Sequence, residues 1–92
     1  MKLLDKFNLS GLSLSSKVIM APLTRRRSTR THVPDPIMVK YYEQRASAGL
    51  IIAEGSSPSA NGAGYANMPG LYNEEQKKAW IPITKAVHDK GG

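Results

Sequence analysis

In the stretch YYEQRASAGLIIAEG, residues 41–55, the end of a predicted helix is followed directly by an apolar run that is typical of a strand. The helix is predicted to begin at Asp35-Pro36, because Asp35 can accept hydrogen bonds from the first free amides and proline suits the first helical position. Apolar residues at gaps of mostly three or four give this helix one apolar face: Ile37, Met38, Tyr41, Tyr42, Ala46 and Ala48. Gly49 is predicted to end the helix, as glycine commonly does. The four apolar residues 50–53 then predict a strand covered on both sides, as in a parallel sheet.

The segment before this unit contains further strand patterns. Residues 7–14 alternate apolar and polar side chains and predict a β-hairpin that turns at Ser10-Gly11. Residues 17–21 are mostly apolar and predict a short buried strand, which stops at Pro22.

The segment after the unit predicts a loop and a second helix. Residues 55–72 are rich in glycine, proline and serine, and loops of this length are usually functional. Asn73 is predicted to cap the helix, with Gln76 as its capping-box partner. Pro82 predicts a kink or a late start, because an interior proline removes one helical hydrogen bond. The apolar stripe of this helix consists of Ala79, Trp80, Ile83, Ala86 and Val87.

The order of elements decides the fold class. Hairpin, strand, helix, strand and helix in succession predict an α/β protein with a parallel sheet and right-handed crossovers. Two strands alone would leave the backbone groups on their outer edges unpaired. Residues 1–92 are therefore predicted to be the first part of a larger barrel or open sheet, an incomplete domain.

Composition excludes several classes of function. The 92 residues allow at most one small domain. The absence of cysteine excludes a disulfide scaffold, a thiolate zinc site and a cysteine nucleophile. No apolar run approaches the roughly 18 residues of a spanning helix, and the residues from Met1 onward lack the apolar stretch of an export signal. We therefore expect a cytoplasmic protein with no membrane partner.

The formal net charge of +6 is concentrated in one cluster, RRRSTR, at residues 25–30. Such a cluster can bind phosphate on a nucleic acid, a nucleotide or a lipid. Isolated basic runs are weak motifs, so we favour the other interpretation, a solvated loop whose arginines pair with carboxylates elsewhere. Residues 24–34 contain no aromatic side chain to stack on bases, and we expect no nucleic-acid partner.

Several stretches together resemble one known family. They are MAPLTR at residues 20–25, the stretch 41–55, GYANMPGL at residues 64–71, and a helix with Gln76 and Trp80. In one register these resemble the amino terminus of the Old Yellow Enzyme family, the flavin-dependent ene-reductases. The resemblance implies a (β/α)₈ TIM barrel, of which residues 1–92 supply the hairpin and the first two β/α units. It also implies FMN, bound without a covalent link at the carboxyl ends of the strands, where such barrels hold their active sites.

The resemblance assigns five residues to the flavin. The backbone of Ala21, Pro22 and Leu23 packs along the ring, and the hydroxyl of Thr24 donates a hydrogen bond to a ring carbonyl. Gly55 lies close to the pyrimidine end, where a large side chain would collide with the ring. From the residues alone, Thr24 could instead bond local backbone, and Gly55 could serve only the turn.

The resemblance also places Tyr65 on the substrate side, although an aromatic residue in a loop could instead pack on the barrel rim. Arg25 and Glu54 are predicted to be able to form an ion pair beneath the site. Trp80 lies at helical spacing within the apolar stripe and is predicted to pack between helix and barrel. Neither histidine has neighbours at the spacing of a metal site, so no metal is expected.

The chemistry that the resemblance implies is ping-pong hydride transfer. NAD(P)H reduces FMN, and the hydride then passes to an activated alkene, such as an α,β-unsaturated carbonyl, a maleimide or a nitro compound. The family's substrate-binding and proton-donating residues belong to later strands, so no catalytic residue is expected in this segment and the isolated chain should be inactive. Two alternatives stay open: a short or split paralogue that acts with another chain, and a basic nucleic-acid-binding module.

Overall fold

The computed structural model describes residues 2–92, in which the strands form two separate pairs. β1 (Phe7–Leu9) and β2 (Leu12–Leu14) are antiparallel. The turn between them places Ser10 at φ 48° and Gly11 at φ 93°, the left-handed geometry of the tight two-residue hairpin. The Asn8 side chain accepts a hydrogen bond of 2.8 Å from the Gly11 amide. The predicted hairpin is confirmed.

The second pair joins β3 (Ile19–Met20) to β4 (Leu50–Ile51) and is parallel. Ile19 lies opposite Leu50, and Met20 lies opposite Ile51. The ladder continues by one hydrogen bond at each end, from Gly49 N to Val18 O at 2.7 Å and from Ile52 N to Met20 O at 3.0 Å. The helix between these strands therefore makes the crossover that a parallel pair requires.

Helix α1 (Ile37–Glu43) is shorter than predicted. Its start is as expected, since the Asp35 carboxylate accepts a hydrogen bond of 3.0 Å from the Ile37 amide. After Glu43 the chain continues in single turns instead of running helically to Gly49. The assignment of Gly49 as the helix end is therefore wrong. Glycine is required there because a Cβ atom would overlap the backbone carbonyl of Ser16, where the hairpin segment crosses the start of β4.

Helix α2 (Glu74–Asp89) begins as predicted, because the Asn73 side chain accepts a hydrogen bond of 2.8 Å from the Gln76 amide. The Gln76 side chain does not return to the cap. Its oxygen accepts from the Tyr72 amide at 2.8 Å, and its nitrogen donates to Thr31 O at 3.2 Å. Pro82 lies inside the helix, so the late start considered for α2 is wrong. A 3₁₀ turn over Ala60–Gly62 interrupts the predicted loop.

The core lies between the two helices and one side of the parallel pair. Met38, Tyr42 and Ile83 are almost fully buried, and six partly buried side chains pack around them: Met20, Val39, Tyr41, Ile51, Trp80 and Val87. Just past β4, Ile52 and Ala53 are exposed, so residues 2–92 do not cover this strand on both sides as predicted. Among the same residues, no helix has both the length and the apolar character needed to cross a bilayer.

Candidate functional site

The two parallel strands end at the same edge of the molecule, and the predicted flavin contacts follow them there. Ala21, Pro22, Leu23 and Thr24 come directly after β3 and are all exposed, Leu23 to 53 %. Their backbone groups form no hydrogen bond with any part of the chain that the structure describes. The structure thus leaves this strand end free on its surface.

Gly55 lies three residues past the last bond of the ladder, at the end of the neighbouring strand. A Cβ atom built on Gly55 would meet no described atom within 4 Å, so the space beside it is open. The edge thus combines a small residue, exposed apolar surface, unbonded amides and the Thr24 hydroxyl. Such a donor set fits the flat face and polar rim of the flavin ring that the sequence predicts.

A buried carboxylate lies directly beneath this edge. Glu54 is only 3 % exposed, and its Oε2 accepts a hydrogen bond of 2.7 Å from the Tyr42 hydroxyl. The same hydroxyl accepts a bond of 3.1 Å from the Glu54 amide. Burial is the main cause that raises the pKa of Tyr42, and the adjacent Glu54 carboxylate raises it further. Tyr42 therefore acts here as a protonated donor.

The predicted ion pair between Arg25 and Glu54 is wrong. Glu54 Oε1 accepts instead from the backbone amide of Arg25, at 3.4 Å. The Arg25 guanidinium lies over the Tyr41 ring, 4.9 Å from its centroid, and the Arg45 guanidinium lies 4.0 Å from the same centroid. A carboxylate that is buried accepts from fixed backbone and hydroxyl donors, while the flexible guanidinium groups stack on the half-buried Tyr41 ring.

Two loops are bound together above the strand ends. The first, residues 24–34, donates from Ser28 N to Asn67 O at 3.0 Å. It also accepts at His32 O from Gly70 N at 2.8 Å. His32 Nδ1 lies 2.7 Å from Met68 O, and since a carbonyl only accepts, Nδ1 carries the proton. His32 thus joins the loops, a structural role that the sequence did not indicate.

The loop pairing also locates Tyr65. Arg26, two residues beyond Thr24, donates from Nε to Ala66 O at 3.2 Å. Tyr65, next to Ala66, is 61 % exposed. The loop that begins at Thr24 is therefore bonded to the loop that carries Tyr65, which places both predicted residues in one connected layer.

Other predicted residues lie away from this edge. Trp80 packs at the α1–α2 interface, with its ring 6.4 Å from that of Tyr42, and its Nε1 donates to Gly70 O at 3.2 Å. His88 is exposed near the end of α2. The described residues hold no group of three or more His, Cys, Asp or Glu side chains that could bind a metal ion.

Comparison with known proteins gives one consistent result. Residues 2–92 match the sequence model of the NADH:flavin oxidoreductase / NADH oxidase family. Chanoclavine-I aldehyde reductase of Penicillium roqueforti is 47 % identical over 92 residues, which are 98 % of this chain and 25 % of that protein. A Leishmania infantum protein named "Probable flavin mononucleotide-dependent alkene reductase" is 45 % identical over 82 residues, 89 % of this chain and 22 % of that protein.

A solved structure agrees. The crystal structure of the Old Yellow Enzyme homologue from Zymomonas mobilis matches with a TM-score of 0.96 and 49 % identity, over 100 % of this chain and 26 % of that one. The chain thus spans about a quarter of the length of the relatives it matches.

Proposed function

This chain belongs to the NADH:flavin oxidoreductase / NADH oxidase family, and from that premise we propose that it is the amino-terminal portion of an FMN-binding (β/α)₈ barrel. The parallel pairing of β3 with β4 through α1 is the repeating unit of such a barrel. The exposed carboxyl ends of these strands occupy the position at which barrels of this class bind their ligands.

We infer that the complete protein is an FMN-dependent NAD(P)H oxidoreductase that reduces activated carbon–carbon double bonds. FMN, held along Ala21–Leu23 and by the Thr24 hydroxyl, would supply ping-pong hydride-transfer chemistry between NAD(P)H and the alkene. The proposed substrates are α,β-unsaturated carbonyls, maleimides and nitro compounds. The family membership and the free strand end support this assignment, because this edge offers surface and donors without using them internally.

Each residue at the edge has a proposed task. The backbone of Ala21–Leu23 supports one side of the flavin ring, and the Thr24 hydroxyl donates a hydrogen bond to its polar rim. Gly55 leaves room for the pyrimidine end. Tyr65, in the loop layer, lines the space that the alkene enters. The open space around Gly55 is the single observation that carries the assignment, because a large side chain there would occupy the space that the ring needs.

The test uses the full-length protein. The purified protein should be yellow with the absorption bands of FMN, and it should oxidise NADPH faster when N-ethylmaleimide or cyclohexenone is added. A saturated analogue such as cyclohexanone is the matched control and should not accelerate NADPH oxidation. A colourless protein that FMN does not reconstitute would contradict the proposal.

We propose that the remaining barrel segment, in the same chain or in another one, is the structural partner of this unit. A groove of about 160 Å³ beside β4 is lined by exposed and half-buried apolar side chains, among them Ile51, Trp80 and Val87. An adjacent strand and helix would bury this surface. Residues 1–92 expressed alone should bind FMN weakly, leave alkenes unreduced and associate on size-exclusion chromatography. A monomer that turns over substrate would contradict this proposal.

A split or short paralogue that serves only as an assembly partner is the second candidate, and it is supported by the edge of β4 that pairs with no strand among residues 2–92. The reading frame after the codon for Gly92 separates the two. A continuing frame that encodes a further strand supports one complete enzyme, whereas a stop codon supports assembly from two chains.

A further inference from the structure

Past the end of the β-ladder, the two strand ends are joined by a side-chain hydrogen bond instead of backbone hydrogen bonds. The last ladder bond runs from Ile52 N to Met20 O at 3.0 Å. Beyond it, within residues 2–92, no backbone hydrogen bond joins the segment 21–25 to the segment 53–55. The next connection is made by a side chain, because Glu54 Oε1 accepts from Arg25 N at 3.4 Å.

The carboxylate that makes this connection is itself held from the core. The Tyr42 hydroxyl donates to Glu54 Oε2 at 2.7 Å and accepts from the Glu54 amide at 3.1 Å. Tyr42 is 2 % exposed, and its ring centroid lies 5.0 Å from that of Tyr41 and 6.4 Å from that of Trp80. The hydroxyl therefore has a position fixed by the α1–α2 interface.

We propose that Tyr42 and Glu54 are a positioning pair that fixes Thr24 and Gly55 relative to each other. The inference rests on the proposed function, because it concerns the hydroxyl that would contact the flavin. Neither member touches the cofactor in this proposal; both act through the strand ends.

The chain geometry explains how the pair acts. Thr24 directly precedes Arg25, whose amide the carboxylate holds, and Gly55 directly follows Glu54. Consecutive Cα atoms are about 3.8 Å apart, so a shift of the carboxylate is transmitted across a single residue on each side. A binding group must be held to within about 0.5 Å of its working position. Without the Tyr42 hydroxyl, the buried carboxylate loses its shortest hydrogen bond and is no longer held in this position.

The experiment measures the midpoint potential and the dissociation constant of FMN in the full-length holoenzyme. The variants are Tyr42→Phe, Thr24→Ala and the double variant that combines them. Glu54→Asp keeps the charge but shortens the side chain by one methylene, and it provides a second disruption if Tyr42→Phe does not fold. The matched control is Tyr41→Phe, the adjacent tyrosine, whose hydroxyl has no hydrogen-bond partner among the described residues.

Tyr42→Phe and Glu54→Asp should each shift the midpoint potential in the same direction as Thr24→Ala, by a smaller amount, while Tyr41→Phe leaves it unchanged. In the double variant Tyr42→Phe should add no further shift to that of Thr24→Ala, because the hydroxyl that the pair positions is gone. This non-additivity separates positioning from a general loss of stability.

Three outcomes would overturn the inference. If Thr24→Ala shifts the midpoint potential but Tyr42→Phe and Glu54→Asp leave it at the wild-type value, only the positioning role is wrong. Shifts in the midpoint potential that add fully in the double variant would also contradict the positioning role. If Thr24→Ala leaves the midpoint potential of the holoenzyme unchanged, both the contact of Thr24 with the flavin and the positioning role of the pair are wrong. A protein without FMN would contradict the proposed function itself.

Discussion

The α1–α2 interface and the carboxyl ends of the strands differ in how far their side chains are buried and their polar groups are hydrogen-bonded within the chain. At the interface Met38, Tyr42 and Ile83 are at most 3 % exposed, and Gln76 in the first turn of α2 is fully buried with its side chain hydrogen-bonded. At the strand ends residues 21–24 are exposed, their backbone groups have no hydrogen-bond partner among the described residues, and the space beside Gly55 is open. The interface, here called the closed region, stabilises the fold. The strand ends, here called the open region, have exposed groups that can bind a ligand. Substitutions in the two regions should therefore change different measured quantities.

The largest effect should come from Gly49→Ala, directly before β4, where the chain is packed against Ser16. The new methyl group would overlap the Ser16 carbonyl, which is backbone and cannot rotate away. Overpacking of this kind should lower the free energy of unfolding by about 3 kcal/mol or more. Urea unfolding of the full-length protein, or its soluble yield, measures the change. An unaltered midpoint would show that the hairpin segment can move away from β4.

Gln76→Ala should have the next largest effect. It removes the hydrogen-bond partner of the half-buried Tyr72 amide and of the Thr31 carbonyl. We expect a loss of about 1–3 kcal/mol in unfolding free energy. Lys78→Ala, an exposed change on the same helix, is the control and should stay within about 0.5 kcal/mol. Equal midpoints for the two variants would contradict the bonded role of Gln76.

Thr24→Ala lies in the open region and should hardly change the free energy of unfolding. Loss of a hydrogen bond to a charged group costs about 1.5–3 kcal/mol, and for a two-electron couple 30 mV corresponds to about 1.4 kcal/mol. Because the hydroxyl stabilises negative charge on the reduced ring, the midpoint potential should fall by about 30–60 mV. Potentiometric titration measures the shift, and Thr24→Ser, which keeps the hydroxyl, should restore most of it.

Tyr65→Ala should change selectivity while FMN affinity stays the same, since the proposed position lines the alkene side. Removal of one wall of a pocket should alter the ratio of kcat/KM for two alkenes by about fivefold, or about 1 kcal/mol. Steady-state kinetics with cyclohexenone and N-ethylmaleimide give the ratio, and FMN titration gives the affinity. Loss of FMN in this variant would show that Tyr65 supports the cofactor instead.

The smallest effect should come from Gly55→Ala, which makes the same chemical change as Gly49→Ala in the open region. With no atom within 4 Å of the new Cβ, unfolding free energy should stay within about 0.5 kcal/mol of wild type, with FMN retained. Gly55→Leu should keep the stability but weaken FMN binding at least tenfold, because the longer side chain reaches into the proposed ring position. Normal FMN affinity in Gly55→Leu would place the ring elsewhere.

The sequence predicted the strand–helix–strand–helix order well because the signals for it are local. Asp35 and Asn73 cap the helices that they precede, and Ser10-Gly11 forms the turn that its residue types favour. The parallel pairing then places the predicted flavin residues at one edge, as a consequence of topology.

The errors and omissions concern contacts between distant segments. The helical pattern that runs to Ala48 gave no sign that Gly49 must approach Ser16. A glutamate after an apolar strand predicted a surface ion pair, whereas Glu54 is buried against a tyrosine twelve positions away. The contact between His32 and Met68 spans thirty-six positions, and no local pattern could indicate it.

The parallel register has a kinetic consequence. It joins Ile19 to Leu50 and Met20 to Ile51, positions about thirty residues apart, and α1 closes the loop between them. Closing a loop of this length costs entropy before the contacts form, and parallel pairings are therefore slow to form. Translation delivers about 5–20 residues per second, amino terminus first. The core also contains Trp80, Ile83 and Val87 of α2, so the unit can close on the ribosome only after this helix emerges, seconds later than β4. The edge of β4 that pairs with no described residue is then open to the next strand of the proposed barrel.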